Sequence, residues 1–135
     1  MSASIPSAPD FLRLAPYHLD EAAMAWVREK AGQLSGDARL MQLFVIGLHG
    51  PAEQWLGDAV PSLQPGGVMR FFSADGSAEA TLLDHLQDRS DIPLLVSADL
   101  EGSRMSLAFG TTVPNPLALA AVDDPALTTS ISTIM

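Results

Sequence analysis

The sequence has no cysteine, a single lysine, and no apolar run long enough to span a bilayer. The missing cysteine excludes a disulfide framework, a thiolate metal site and cysteine catalysis. Its three histidines lack metal-ligand spacing, so we predict no metal site, and no motif indicates a cofactor. The first ten residues have neither a basic start nor an apolar stretch of the signal-peptide type, which favours a cytoplasmic location.

Basic residues are also scarce, because 7 Lys and Arg stand against 16 Asp and Glu, for a formal net charge of −9. Such a charge repels phosphate backbones and argues against a nucleic-acid partner. Apolar residues make up 47% of the 135 residues, which is enough for the core of one domain. Neither composition nor pattern indicates an oligomeric state.

Continuous apolar runs alternate with helical patterns along the chain. Strands are predicted at residues 43–46, 68–72 and 93–98, and helices at residues 19–34, 51–60 and 78–89. Ser35-Gly36-Asp37 is predicted to break the first helix and Ser77 to cap the third. The strands start about 25 residues apart, close to one βα unit of a barrel. This order predicts an α/β fold with a parallel sheet whose strands are buried on both faces.

The two ends of the chain differ in character. Residues 1–17 are predicted to form a disordered or extended leader. Asp123-Asp124-Pro125 predicts a helix start, with acidic residues at the positive end of the helix dipole. The sequence ends at Met135, within that apolar helix and without a capping residue. We therefore expect the chain to be truncated.

Three charged residues, Asp99, Glu101 and Arg104, follow the third predicted strand. In parallel α/β folds, ligands bind outside the carboxyl ends of the strands. Asp99 can accept hydrogen bonds from paired sugar hydroxyls, and Arg104 can orient a carboxylate. Alternatively, Asp99 caps the loop while Glu101 pairs with Arg104 to hold its shape. The residues by themselves leave both interpretations open.

Three segments together resemble glycoside hydrolase family 3. Residues 92–125, IPLLVSADLEGSRMSLAFGTTVPNPLALAAVDDP, resemble the family's third-strand region, in which a strand ends in an Asp-x-Glu-Gly-Gly-Arg pattern. The resemblance is greatest to the β-N-acetylglucosaminidase branch. MQLFVIGLHG, residues 41–50, resembles the family's first strand, and LQPGGVMRFF, residues 63–72, its Pro-Gly-Gly-Val second strand.

This resemblance implies the N-terminal part of a (β/α)8 TIM barrel, with about three βα units after a leading helix, across residues 18–135. It also implies a retaining exo-glycosidase of β-N-acetylhexosaminidase or β-glucosidase type, with a carbohydrate substrate. The family's nucleophile and acid/base would lie beyond Met135, so no catalytic residue carries over and the fragment is predicted to be inactive. Asp99 matches the family's sugar-binding Asp, while Glu101 and Arg104 are predicted to support the loop.

The chain departs from the family pattern at three positions, so the resemblance leaves the substrate preference open. Leu100 and Ser103 stand where Gln and Gly are commoner, and Leu107 stands where the hexosaminidase pattern has a second substrate-binding Arg. A competing class is a small non-catalytic α/β ligand-binding or regulatory domain. A purely structural scaffold is a third possibility.

Overall fold

The computed structural model describes residues 10–71 and 74–134. Its α-helices and β-strands, in chain order, are α1 (Glu21–Gln33), α2 (Gly36–Met41), β1 (Val45–Leu48), β2 (Gly67–Arg70), α3 (Gly76–Asp88), β3 (Leu95–Ser97), α4 (Pro116–Val122) and α5 (Pro125–Ser132). The predicted α/β class is confirmed. Of the predicted leader, residues 1–9 lie outside the described residues, and Asp10–Arg13 forms a 3₁₀ helix.

Side-chain caps start the first two helices. Asp20 Oδ1 accepts a hydrogen bond from Ala23 N–H at 2.8 Å. Ser35 Oγ accepts one from Ala38 N–H at 3.1 Å. The predicted break after the first helix is confirmed, since α1 ends at Gln33, and Ser35 also caps a second helix that was not predicted.

The connection from β1 to β2 is made of 3₁₀ turns rather than the predicted helix at residues 51–60. The turns span Ala52–Trp55 and Pro61–Leu63. Gly57, which has a low helix propensity, lies between them. Pro61 is the first residue of the second turn, where its missing backbone N–H costs nothing. Gly57 is therefore the residue within the predicted helix that disfavours a continuous α-helix.

Asp75, rather than the predicted Ser77, caps α3. Its Oδ1 accepts hydrogen bonds from the Ser77 hydroxyl at 2.7 Å, from Ser77 N–H at 2.9 Å and from Ala78 N–H at 3.1 Å. These bonds, that of the Ser77 hydroxyl foremost, hold the pKa of the Asp75 carboxyl below its usual value. The prediction of Ser77 as the cap is wrong, because the Ser77 hydroxyl donates a hydrogen bond to Asp75, which is the residue that caps the helix.

The three strands form a parallel sheet in the order β1-β2-β3, with β2 in the centre. The register aligns Val45 with Gly67 and Leu95, and Gly47 with Met69 and Ser97. Aligned residues of a parallel sheet point to the same face. The register therefore defines which side chains meet across the sheet.

Two adjacent glycines allow the backbone to pack tightly around β2. A Cβ at Gly66 would lie 2.0 Å from the Gln42 carbonyl oxygen, and a Cβ at Gly67 would lie 2.5 Å from that of Leu95. Gly66 C=O also accepts a hydrogen bond from Leu95 N–H at 3.0 Å. The Gly-Gly pair is thus required by the approach of neighbouring backbone at the start of the strand.

One face of the sheet is covered by α3 and by the β1–β2 connection. The buried core on this face consists of Leu48, Ala52, Val60, Val68, Leu82, Leu86 and Leu94. The Leu82 and Leu86 side chains lie four residues apart on α3, so they share one side of the helix. Burial of this apolar cluster is the main stabilising interaction visible within the described residues.

The other face of the sheet, which we call the open face, carries Val45, Gly47, Met69, Leu95 and Ser97. Val45 is 54% exposed and Leu95 is 73% exposed. The expectation that the strands are buried on both faces is therefore wrong for this chain. Met69, in the central strand, is half-buried.

Two short helices follow the long loop after β3. Asn115 Oδ1 caps α4 by accepting from Ala118 N–H at 2.9 Å. Asp124 Oδ1 caps α5 by accepting from Ala126 N–H and Leu127 N–H at 2.9 and 3.0 Å, which confirms the predicted helix start. Within the described residues, no helix has the length and apolarity needed to cross a membrane.

Candidate functional site

The carboxyl ends of all three strands lie at the same edge of the sheet, because the strands are parallel. His49 follows β1, Phe71 follows β2, and Asp99 lies two residues beyond the end of β3. Ligands of parallel α/β folds bind at this edge. Asp99 therefore lies at the edge where a ligand would bind, and its role as a sugar contact stays a prediction.

Asp99 is exposed. Among the hydrogen bonds and ion pairs of the described residues, none involves its carboxylate. It therefore does not cap the loop through its side chain, which was the alternative interpretation. A carboxylate oxygen without a protein donor can accept hydrogen bonds from a ligand.

A tight turn follows Asp99 and is held by its backbone. The N–H groups of Glu101 and Gly102 donate to the Met105 carbonyl oxygen at 2.9 and 3.2 Å, and Met105 N–H donates to Gly102 C=O at 3.0 Å. Gly102 has a φ of +86°, and a Cβ there would lie 2.3 Å from the Pro114 carbonyl oxygen. Glycine is required at this position on both grounds.

Glu101 and Arg104 were predicted to support this loop. Both side chains are exposed. The part of the chain that the structure describes shows no ion pair between them. The visible support is the backbone turn itself, and the role of the two side chains stays a prediction.

A buried ion pair lies directly beneath the carboxyl edge and was missed in the sequence. Arg70 is 1% exposed and Glu79 is 2% exposed. Arg70 Nε donates to Glu79 Oε2 at 2.9 Å, and Nη2 donates to Oε1 at 2.7 Å. Two further Arg70 donors reach the carbonyl oxygens of Leu48 and, at 3.0 Å, Gly50. One guanidinium thus joins β2 to α3 and to the end of β1.

The available signal for this pair was Arg70 itself. A charged residue inside an apolar strand must find a buried partner. The sequence did not show which acid would provide it, because Glu79 lies nine positions away in the next helix. Only the packing of α3 against the sheet brings the two together.

An aromatic pair lies at the same edge. The rings of His49 and Phe71 are stacked, with centroids 4.2 Å apart and planes 9° apart. The His49 carbonyl oxygen accepts hydrogen bonds from Gln54 Nε2 at 2.6 Å and from Trp55 Nε1 at 2.8 Å. The backbone of His49 therefore fixes the turn after β1, while its ring is available at the edge.

A separate open groove of about 750 Å³ lies between the long loop and the last two helices. Leu100, Pro114 and Leu119 give the groove an apolar lining. Glu101 also lines it. The Asp124 carboxylate in its wall already caps α5. Within the described residues, no group of three or more His, Cys, Asp or Glu could hold a metal ion.

Comparison with known proteins finds relatives that are several times longer. A curated β-N-acetylglucosaminidase/β-glucosidase from Cellulomonas fimi is 36% identical over 113 residues, or 82% of this chain and 20% of that protein. The structure of β-glucoside phosphorylase BglX bound to 2FGlc matches 93% of this chain and 23% of its own, with a TM-score of 0.74 and 28% identity.

The predicted resemblance to glycoside hydrolase family 3 is confirmed. A second BglX structure supports it, with a TM-score of 0.67 and 32% identity over 85% of this chain and 20% of its own. No protein-family model matches the chain. The fold corresponds to the N-terminal part of a family 3 TIM barrel and contributes three parallel strands. The chain spans about a fifth of the length of the relatives it matches.

Proposed function

We propose that residues 18–135 form the N-terminal part of a family 3 barrel whose complete protein is a retaining exo-glycosidase. Its substrates would be β-glucosides or N-acetyl-β-hexosaminides. The exposed Asp99 carboxylate at the carboxyl edge carries this proposal, because it lies where the family resemblance expects a sugar contact. The name of the curated relative, β-N-acetylglucosaminidase/β-glucosidase, supports the substrate class.

Asp99 would bind the terminal sugar of the substrate. Its two carboxylate oxygens can accept from neighbouring hydroxyl groups, and such charge-assisted bonds are stronger than neutral ones. Binding of this kind fixes the position of the glycosyl ring relative to the reacting groups. Asp99 is thus proposed as a substrate-binding residue.

The chemistry itself requires groups from elsewhere in the complete protein. Retaining hydrolysis needs two groups on opposite sides of the scissile bond, with carboxyl groups about 5 Å apart. Glu101 is only two residues from Asp99 on the same short loop, so the two cannot flank a sugar. The nucleophile and the acid/base are therefore proposed to come from chain beyond this segment.

The complete gene product should release nitrophenol from 4-nitrophenyl β-D-glucoside or 4-nitrophenyl N-acetyl-β-D-glucosaminide. Loss of a charged hydrogen-bond partner costs about 1.5–3 kcal/mol, so Asp99→Asn should lower kcat/KM about 10- to 150-fold. Asp88→Asn is the matched control, because Asp88 is exposed at the far end of α3. Equal activity of wild type and Asp99→Asn would contradict the proposed role.

The acceptor of the glycosyl group is tested in the same assay. Two of the related structures carry the name phosphorylase, whereas the curated relative is named as a glucosidase. The assay is therefore run with and without inorganic phosphate, and the products are separated. A free sugar in both conditions supports the proposed hydrolase, and a sugar phosphate formed in its place would contradict it.

A further inference from the structure

His49, Phe71 and Asp99 follow the ends of the three strands at equivalent positions, and we call them the row. Gly47, Met69 and Ser97 are aligned across the sheet, and each residue of the row lies two positions further along the chain, just beyond its strand. Side chains two positions apart point to the same face. Continuing this alternation one step past each strand end would place all three on the side of the open face, and the contact between the His49 and Phe71 rings agrees with it.

The His49 ring has the chemistry of a sugar ligand. It is exposed, and none of its ring nitrogens has a hydrogen-bond partner among the described residues. A neutral imidazole offers one donor and one acceptor, which match a hydroxyl group in either role. Its flat contact with Phe71, at 4.2 Å, limits the orientations of the ring.

The backbone beneath His49 is held at several points. Its carbonyl oxygen accepts from Gln54 and Trp55, and the buried Arg70 side chain binds the carbonyl oxygens on both sides of it, at Leu48 and Gly50. A side chain contributes most to binding affinity when the backbone that supports it is already rigid in the free protein. The Arg70 cluster is therefore in a position to orient the His49 ring.

Phe71 lies in the centre of the row. Neighbouring strands lie about 4.8 Å apart, so the backbones at the ends of β1 and β3 are separated by about 10 Å. The Phe71 ring stacks beside the His49 ring, with centroids 4.2 Å apart. A sugar that reaches both His49 and Asp99 would therefore have to lie over the Phe71 ring, outside the carboxyl edge.

We propose that His49, stacked on Phe71, is a second glycosyl-binding residue, which binds a hydroxyl group on the side of the sugar opposite Asp99. The inference rests on the proposed function, because it assumes that the carboxyl edge holds a glycoside. It adds a residue that follows β1 to a site that the family resemblance defined only by the loop after β3. Arg70 is the positioning residue of this arrangement.

The test uses the complete protein and His49→Phe, which keeps an aromatic ring over Phe71 but removes both ring nitrogens. With the better of the two nitrophenyl glycosides, we expect kcat/KM to fall about 10-fold, the value of one neutral hydrogen bond. His49→Gln, which retains a donor and an acceptor, should recover part of the loss. His85→Phe on α3 is the control and should match wild type.

Monodeoxy nitrophenyl glycosides identify the hydroxyl concerned. For one of these substrates, wild type should lose about 10-fold, while His49→Phe should lose nothing more than it has already lost. A purely structural role of His49 would instead lower activity equally on every deoxy substrate. That result would overturn the inference even if His49→Phe were less active.

The outcomes separate the inference from the proposed function. An inactive wild type would overturn both. Activity that requires Asp99 but is unchanged in His49→Phe would overturn only the role of His49. If His49→Phe melts at a lower temperature than wild type, the deoxy-substrate comparison with His49→Gln decides, because additive losses there would contradict a hydrogen bond.

Discussion

Ser103, in the turn that follows Asp99, has an unusual backbone conformation for a residue with a side chain. Its φ of +50° is in the left-handed region, which disfavours any residue with a Cβ. The family 3 pattern has glycine at this position. The left-handed backbone conformation gives the physical reason why glycine is common there. We expect Ser103→Gly to raise the free energy of unfolding by up to about 1 kcal/mol in urea denaturation.

Ser130→Gly is the matched control for this prediction. Ser130 lies inside α5, where glycine costs about 0.5–1 kcal/mol relative to a residue with a side chain. The same substitution should therefore have opposite signs at the two sites. A loss of stability in Ser103→Gly would show that the serine side chain contributes something that the backbone angle does not reveal.

At the level of single residues, the sequence predicted that Asp99 follows a strand end and missed the pairing of Arg70 with Glu79. The strand end could be predicted because an apolar run is a local feature of the sequence, whereas the role of Asp99 stays a prediction. The buried pair depends on a helix packing onto a strand, which is a tertiary contact. The sequence indicates that His49 follows the first apolar run. Its ring contact with Phe71, however, depends on the register between two strands.

The elements of the fold are joined by the Arg70–Glu79 pair, which links β2 to α3. We expect Arg70→Met and Glu79→Gln each to cost about 3–5 kcal/mol, because each removes one charge of a buried ion pair. The double variant should lose clearly less than the sum of the two. Urea unfolding of the four proteins measures this coupling, and additive losses would contradict it.

The Asp58–Arg89 pair provides the control for this cycle. Its Oδ1 and Nη1 atoms are 2.6 Å apart, but the side chains are 78% and 52% exposed. Exposed pairs contribute about 0–1 kcal/mol, so Asp58→Asn and Arg89→Met should show little coupling. A short distance between two charged groups is therefore expected to contribute little to the free energy of unfolding when both side chains are exposed.

The sequence predicted element type better than element boundaries. All three strands and their parallel arrangement were predicted, because apolar runs separated by helical segments specify a parallel sheet. β1 nevertheless begins at Val45, two residues later than predicted. Leu43 and Phe44 are as apolar as the strand, but their N–H groups donate to carbonyl oxygens of the last turn of α2. Apolar composition alone cannot mark that change of hydrogen-bond partner.

For the whole molecule, the open face determines how this chain should behave by itself. It presents Val45 and Leu95 in one layer, across Gly67. An exposed apolar sheet face with free strand edges favours association with other chains. We predict that the isolated 135-residue chain self-associates and releases no nitrophenol from either glycoside, because the described residues provide no pair of flanking carboxylates.

Light scattering after size exclusion tests the association, and Leu95→Lys tests its cause. A lysine on the open face should reduce the associated fraction, since a charged group at an exposed strand is costly to bury against a second chain. Leu117→Lys is the control, because Leu117 is 79% exposed but lies on α4, away from the sheet. A monodisperse wild-type monomer that melts cooperatively would contradict the prediction. Equal effects of the two lysines would place the associating surface outside the open face.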